Sequence, residues 1–209
     1  MIYRITTILA ISAGLFLNSC KSDSSTHRES EVFRYNESAG ITSLDPAFAR
    51  SQSNIWAVNQ IFNGLVQLSS DLNVQPCIAE SWTISIDGKE YRFTLREDVH
   101  FHYSQNFKDS TRRVVAQDFL YSFERLQSDA LASPGAWTMN MVDTMYAPTD
   151  RIFIIELKEA FPPFLGLLTM QYCSVVPREV VEAEGAQFGR NPIGTGPFLN
   201  MKITFNCRI

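Results

Sequence analysis

At 209 residues the chain is long enough for one ordinary domain with a substantial core. Its net charge of −4, with no run of Lys or Arg, argues against nucleic acid as a partner. Its 19% charged and 45% hydrophobic residues are those of an ordinary folded protein.

In chain order, Arg4 precedes an uncharged, largely apolar run, Ile5–Leu17, followed by Asn18, Ser19 and Cys20. This is the pattern of a signal peptide. Its 13 residues fall short of the ~20 that a membrane span needs. The ending Leu17-Asn18-Ser19-Cys20 resembles a bacterial lipobox, in which the chain is cut before the cysteine and the new terminus carries acyl chains. Several such chains give stable anchoring where one does not. Residues 1–19 are therefore expected to be a signal peptide. Residues 20–31 are expected to hold a lipidated Cys20 and a flexible tether, since Lys21–Ser30 is polar and without apolar periodicity. The expected address is the cell envelope, lipid-anchored on a periplasmic or extracytoplasmic face.

Glu31–Tyr35 alternates weakly and reads as a strand, followed by a long connection, Asn36–Ser53, that contains Leu44-Asp45-Pro46. Asn54–Asn63 reads as a helix, with Ile55, Val58, Ile61 and Phe62 at helical spacing. Ser53 or Asn54 stands at its N-cap and Gly64 at its stop. Leu65–Leu68 is a short strand, Ser69–Asn73 a turn, and Val74–Ala79 leads onward.

Ala79–His102 carries the strongest local signal. Asp87-Gly88 sits between two alternating runs, the mark of a two-residue type I′ hairpin. That placement sets Ile84 opposite Tyr91, Trp82 opposite Phe93, Thr83 opposite Arg92 and Ser85 opposite Glu90. One face is then wholly apolar and bound for a core, and a one-residue slip would mix the two sets.

Ser104–Arg113 reads as a loop. Val115–Gln127 is a helix whose apolar face holds Val115, Phe119, Ser122, Phe123 and Leu126, with Asp118 and Glu124 on its other sides. Met139, Val142 and Met145 could form one helical stripe within Trp137–Tyr146. Arg151–Leu157 is a strand, Pro162-Pro163 opens a short helix Phe164–Leu168, Tyr172–Val176 is a strand ended by Pro177, and Arg178–Glu184 is a helix stopped by Gly185. Helices and strands are mixed around a local hairpin, so the fold class is α+β (mixed α/β). Cys77, Cys173 and Cys207 show no metal-ligand spacing; Cys77 and Cys173 could pair, but isolated buried thiols are the expected state.

Several segments, in order, resemble the N-terminal part of the dipeptide- and oligopeptide-binding proteins of ABC importers, the family 5 extracellular solute-binding proteins. They are Leu44-Asp45-Pro46, Ile61-Phe62-Asn63-Gly64-Leu65, Ala79-Glu80-Ser81-Trp82 with Asp87-Gly88-Lys89, and Phe93-Thr94-Leu95-Arg96-Glu97-Asp98-Val99. Ala116-Gln117-Asp118-Phe119 with Ser122-Phe123, Phe161-Pro162-Pro163-Phe164-Leu165, and Asn191-Pro192-Ile193-Gly194-Thr195-Gly196-Pro197-Phe198 complete the series. Two departures stand out. Val115 occupies a position where the family usually has a hydroxyl cap, a loss of ~1 kcal/mol. Leu199–Ile209 does not resemble the family's continuation into a second lobe, which suggests a premature stop or frameshift near Phe198.

The resemblance implies the first-lobe portion of a two-lobed periplasmic-binding-protein-like fold over residues 32–198, with 199–209 a divergent tail. It implies a non-covalent peptide ligand held between lobes and delivered to an ABC permease, by a monomer that needs no cofactor. By position, Arg50, Ser51, Gln52 and Ser53 would lie near the cleft, Trp137 would offer a stacking face, Tyr172 would sit near the same edge, and Gly194, Thr195 and Gly196 would lead toward the inter-lobe crossover. Nickel, haem and sugars are bound by relatives of the same shape, so a non-peptide solute is the alternative ligand, and a non-functional fragment the other reading. His100 and His102 share a strand face, yet no third ligand accompanies them and no nucleophile or phosphate-loop motif is present, so neither a metal site nor an enzyme is expected.

Overall fold

The hairpin at Asp87-Gly88 is the point from which the main sheet is built. In the computed structural model, which describes Glu37–Leu199, β3 (Ala79–Ile84) pairs with β4 (Glu90–Leu95) in the expected register. Trp82 faces Phe93, Thr83 faces Arg92 and Ile84 faces Tyr91. The Ser85 amide donates to the Glu90 carbonyl at 3.0 Å. The turn itself is not type I′. The Gly88 amide returns to the Ser85 carbonyl at 2.9 Å, so Ile86 and Asp87 are the central residues, and only Gly88 takes a positive φ, +72°. Asp87 stays out of the left-handed region because its carboxylate accepts from the Ser85 hydroxyl and the Lys89 amide, an Asx-type arrangement that favours an ordinary turn.

The order of the sheet is β3-β4-β6-β5, antiparallel throughout, with β5 at Val142–Thr149 and β6 at Ile152–Leu157. Tyr91 aligns with Ile155 and Phe93 with Phe153, which puts the apolar residues of the two central strands on one face. The helix α2 (Ala116–Gln127) lies on that face. Phe123 meets Phe153 edge-on with ring centroids 5.6 Å apart, and Phe119 stands 6.1 Å from the same ring. Each such aromatic, fully buried, contributes on the order of 2–3 kcal/mol. On β3 the apolar face is only partly covered: Trp82 is half-buried, and Ile84 is 45% exposed because β3 is an edge strand that the core does not reach.

Before the hairpin lie α1 (Gln52–Ile61) and the ribbon of β1 (Val66–Leu68) with β2 (Val74–Pro76). After the sheet, Phe161–Leu168 forms a single turn α3 (Phe164–Leu167), whose Phe164 ring sits 5.1 Å from Tyr91, and α4 (Arg178–Glu184) ends at Gly185, φ +52°. Two readings are corrected. Met139, Val142 and Met145 do not share a helix: Ala136–Met139 is a 3-10 turn, and from Val142 the chain pairs with β6, a tertiary ladder that outweighs a three-residue apolar spacing. Tyr172–Val176 is not a strand beyond one bridge, Gly64 with Ser174. Gln171–Cys173 is a 3-10 turn, and the amides of Val175 and Val176 go to the Asn63 carbonyl and the Ser122 hydroxyl. Cys77 and Cys173 are free thiols, and burial pushes that of Cys173 up to about 12. The Glu31–Tyr35 strand, the Cys20 leader, Cys207 and the tail from Asn200 lie outside the described residues.

Asp118 is not on an outer side of α2, as its position on the helical wheel suggests, but buried. It supplies the reciprocal half of a capping box, while its own amide goes to the Val115 carbonyl at 3.0 Å instead of a hydroxyl. Its Oδ2 accepts the Val115 amide at 2.9 Å, so the first turn is capped from the third position rather than the first. Arg112 neutralises it with two hydrogen bonds of 2.8 and 2.7 Å, and the same guanidinium donates twice to Glu179 of α4, at 2.8 and 2.7 Å. The rings of Phe101 and Phe107 lie 5.0 and 5.4 Å from it.

Arg112 holds the Glu179 carboxyl below its usual range. The folded chain therefore binds that proton more weakly than the unfolded chain, so the contribution is complete above the ordinary value of 4.5 and is lost as pH falls through the lowered one. Glu179→Gln should lower the melting temperature modestly at roughly pH 7 and flatten the acid limb, so that the variant and wild-type profiles converge toward roughly pH 3; an unchanged profile would show that the pair contributes nothing.

Candidate functional site

The connection before α1 is fixed by its own chemistry. Pro46 locks one φ, and the preceding Asp45 takes an extended conformation (φ −72°, ψ 121°) from which its Oδ1 accepts the Ala47 amide at 3.0 Å and starts the 3-10 turn Pro46–Phe48. Both Asp45 oxygens also accept from Arg125 of α2, at 2.9 and 2.5 Å, with the two side chains only 6% and 13% exposed. The Ser133 hydroxyl donates to the Ala47 carbonyl at 2.6 Å, and the Asn54 side chain exchanges two hydrogen bonds with Thr42. The segment that delivers Arg50 is therefore tied to three other parts of the chain.

Arg50 is exposed and makes no ion pair among the described residues. Ser51, rather than Ser53 or Asn54, caps α1: its Oγ accepts the Asn54 amide at 3.4 Å and lies 3.1 Å from Ser53 Oγ. Ser53 and Asn54 are buried inside the first turn, and Gln52 is exposed. Tyr172 stands close enough to Arg50 for that charge to draw its pKa down, although burial has the larger effect and moves it up. The Tyr172 ring lies directly on Gly135, where any Cβ would overlap it. Two residues on, in the turn Ala136–Met139, the Trp137 ring is 47% exposed. Arg50 and Tyr172 thus lie near one another at the N-terminal end of α1, and Trp137 stands two residues along the chain from the glycine that Tyr172 covers.

Gly194, Thr195 and Gly196 lie at the other end of that helix, about 15 Å away for ten residues. The Gly196 amide donates to the Ile61 carbonyl at 2.7 Å, and Asn63 Nδ2 donates to the Thr195 carbonyl at 3.0 Å. A Cβ at Gly194 would overlap the Ile61 carbonyl, and one at Gly196 would stand 2.6 Å from that of Gln60. These glycines permit close backbone approach. His102 Nε2 sits 2.7 Å from the Gly196 carbonyl, while His100 Nδ1 lies 3.2 Å from the Asp98 carbonyl. Neither belongs to a regular strand, and no three His, Cys, Asp or Glu among the described residues are grouped to hold a metal. A separate groove of about 230 Å³, lined by Ser104, Asn106, Glu184, Arg190 and Ile193, contains none of the residues expected at the site. Gly135 and the Asp45–Arg125 pair escaped the sequence reading. Ser133-Pro134-Gly135 signals a turn but not the ring beneath it, and nothing local connects residues so far apart.

The family described as "Bacterial extracellular solute-binding proteins, family 5 Middle" matches residues 73–204. Di/tripeptide-binding protein 2 of Pseudomonas aeruginosa is 33% identical over 178 residues, 75% of this chain and 32% of that protein. Heme-binding protein A of Haemophilus influenzae is 27% identical over 222 aligned positions, 92% of this chain and 40% of that protein. Among solved structures, the ABC transporter-associated periplasmic binding protein DppA from Helicobacter pylori, in complex with the peptide STSA, superposes with a TM-score of 0.70 at 28% identity, covering 78% of this chain and 35% of that one. The fold is a portion of that periplasmic-binding-protein architecture. The chain spans about a third of the length of the curated relatives it matches.

Asp45→Asn leaves the Arg125 guanidinium buried beside a neutral partner and should cost ~3–5 kcal/mol in denaturant unfolding. A loss below about 1 kcal/mol would mean that water replaces the pair. Gly135→Ala must displace the Tyr172 ring. It should cost roughly 1–3 kcal/mol and change near-ultraviolet circular dichroism, whereas a stable variant with an unaltered aromatic signal would contradict the close contact.

Proposed function

We propose that this chain, which belongs to the bacterial extracellular solute-binding proteins of family 5, is the first-lobe part of the substrate-binding component of an ABC-type peptide importer. Residues 1–19 act as its signal peptide, Cys20 as its lipid anchor, 20–31 as its tether and 32–198 as its binding portion. The task is reversible binding and delivery to a permease rather than chemistry.

The observation that carries the reading is Arg50 beside Tyr172, with the exposed Trp137 two residues from the glycine that Tyr172 covers. An exposed guanidinium without an ion-pair partner among the described residues offers a bidentate site for a carboxylate, which a peptide supplies at its C-terminus. A half-exposed indole and a tyrosine ring give apolar faces that accept varied side chains without demanding one shape. The anchored loop, held by the Asp45–Arg125 pair, keeps the edge in place before a ligand arrives, which lowers the ordering cost of binding. The name of the Pseudomonas relative and the peptide in the Helicobacter complex support this ligand class. Haem is the second reading, favoured by the Haemophilus relative and by the same two rings.

Thermal unfolding of the purified chain, alone and with a pool of di- to pentapeptides, tests the reading. A ligand at a hundred-fold excess over its Kd stabilises by about 2.7 kcal/mol, which raises the melting temperature by roughly 5–10 °C for a chain of this size. Arg50→Ala should remove most of that rise while leaving the unliganded melt unchanged. A cooperative melt that ignores peptides and responds to haem would replace the first reading with the second.

A further inference from the structure

The segment Gly194–Phe198 has no regular secondary structure, yet its backbone is gripped on both sides. A helix leaves its last carbonyls without partners. After α1 the chain turns away in an extended conformation at Phe62 (φ −123°, ψ 154°), so local residues do not cap those of Gln60 and Ile61. The donors come from the far end of the chain. The Gly196 amide reaches the Ile61 carbonyl at 2.7 Å, and the Phe198 amide reaches that of Gln60 at 3.1 Å. Pro197 between them has no N–H to place.

The opposite side of the strap is held by residues around His102. Its amide donates to the Gly194 carbonyl at 2.8 Å, and its Nε2 lies 2.7 Å from the Gly196 carbonyl. Asn63 Nδ2 reaches the Thr195 carbonyl at 3.0 Å. A carbonyl only accepts, so the imidazole must donate. The proton therefore resides on Nε2, whichever state Nδ1 takes. The Gly196 backbone is thus bonded through its N–H to α1 and through its C=O to one side chain.

We propose that His102 is a clasp, a positioning residue that locks the strap Gly194–Phe198 onto the C-terminal end of α1. Opening the clasp is a local event. It frees the strap and the last turn of α1 while the β3-β4-β6-β5 sheet stays folded. The clasp holds the strap through Phe198 in place, and it does so without reference to any ligand at the Arg50 edge.

Nitrogen chemical shifts of the wild-type imidazole should show the Nε2–H tautomer at neutral pH, and a bare Nε2 would overturn the proposal. His102→Phe keeps a ring but removes the donor. It should speed hydrogen exchange at the Gly196 and Phe198 amides about tenfold or more while the ladder amides of β4 keep their rates. His102→Gln, which restores an N–H at a similar reach, should recover most of that protection, a rescue that a purely space-filling role would not show. Unchanged strap protection in His102→Phe, or acceleration of strap and sheet together in both variants, would overturn the clasp. If His102→Phe does not fold, His102→Gln decides: a protected strap supports the proposal, and an open strap on an intact sheet refutes it.

Discussion

A carboxylate and a guanidinium that start 80 residues apart, Asp45 and Arg125, impose the constraint on which the placement of Arg50 depends. The connection before α1 also buries Leu44, Ala47 and Ala49 in the core, and the pair adds a direct tie to α2. Two charges taken out of water are costly, and they return that cost only when the geometry is good and the remaining lone pairs are used. Here both oxygens are bonded, one of them also to the Ala47 amide, and the Phe188 ring lies 5.8 Å from the guanidinium. The pair does not so much add stability as select one path for the chain. Arg50 and Ser51 emerge from that path at a defined place beside Tyr172.

The core supplies the rigid floor beneath this arrangement. β4 is hydrogen-bonded on both sides, and its Tyr91, Phe93 and Leu95 are buried against residues of β6 and α2. α2 then presents charge on two of its faces. Asp118 at its start is joined to Arg112 and, through it, to α4, while Arg125 near its end is joined to Asp45. One helix thereby links the sheet, the last helix and the loop of the site. The edge that carries Arg50 is thereby braced against the sheet rather than carried on a loose loop.

How much of this could be read from the amino acids depends on how local each cause is. The hairpin register was legible because two alternating runs flank a glycine, and a slip would put Arg92 in the core. The turn type was not, because it depends on which oxygen Asp87 uses. Asp118 was misplaced for a tertiary reason: a helical wheel assigns a carboxylate to water unless an arginine from the preceding loop neutralises it. Met139, Val142 and Met145 fit a helical period, and only the ladder with neighbouring β6 overrides it. In the site, motif order pointed to Arg50–Ser53 and to Gly194–Gly196 alike, but not to their separation by the length of α1. That separation is a property of the helix between them, which any spacing argument treats as a mere interval.

The two outer strands of the sheet differ from the inner pair in a way that bears on how copies of this chain meet one another. β5 carries Pro148, which lacks a donor, and its register with β6 shifts twice, at Val142/Thr144 and at Tyr146/Thr149. β3 shifts once, between Ala79 and Ser81, and carries the exposed Glu80 beside that irregularity. Bulges twist an edge away from a flat partner, and a proline leaves a gap in any ladder that forms there. Strand-by-strand growth into a continuous sheet is therefore blocked at both margins, at the expense of a few hydrogen bonds per molecule. For neighbouring copies of this chain, that loss is a form of insulation, keeping them apart without a dedicated partner.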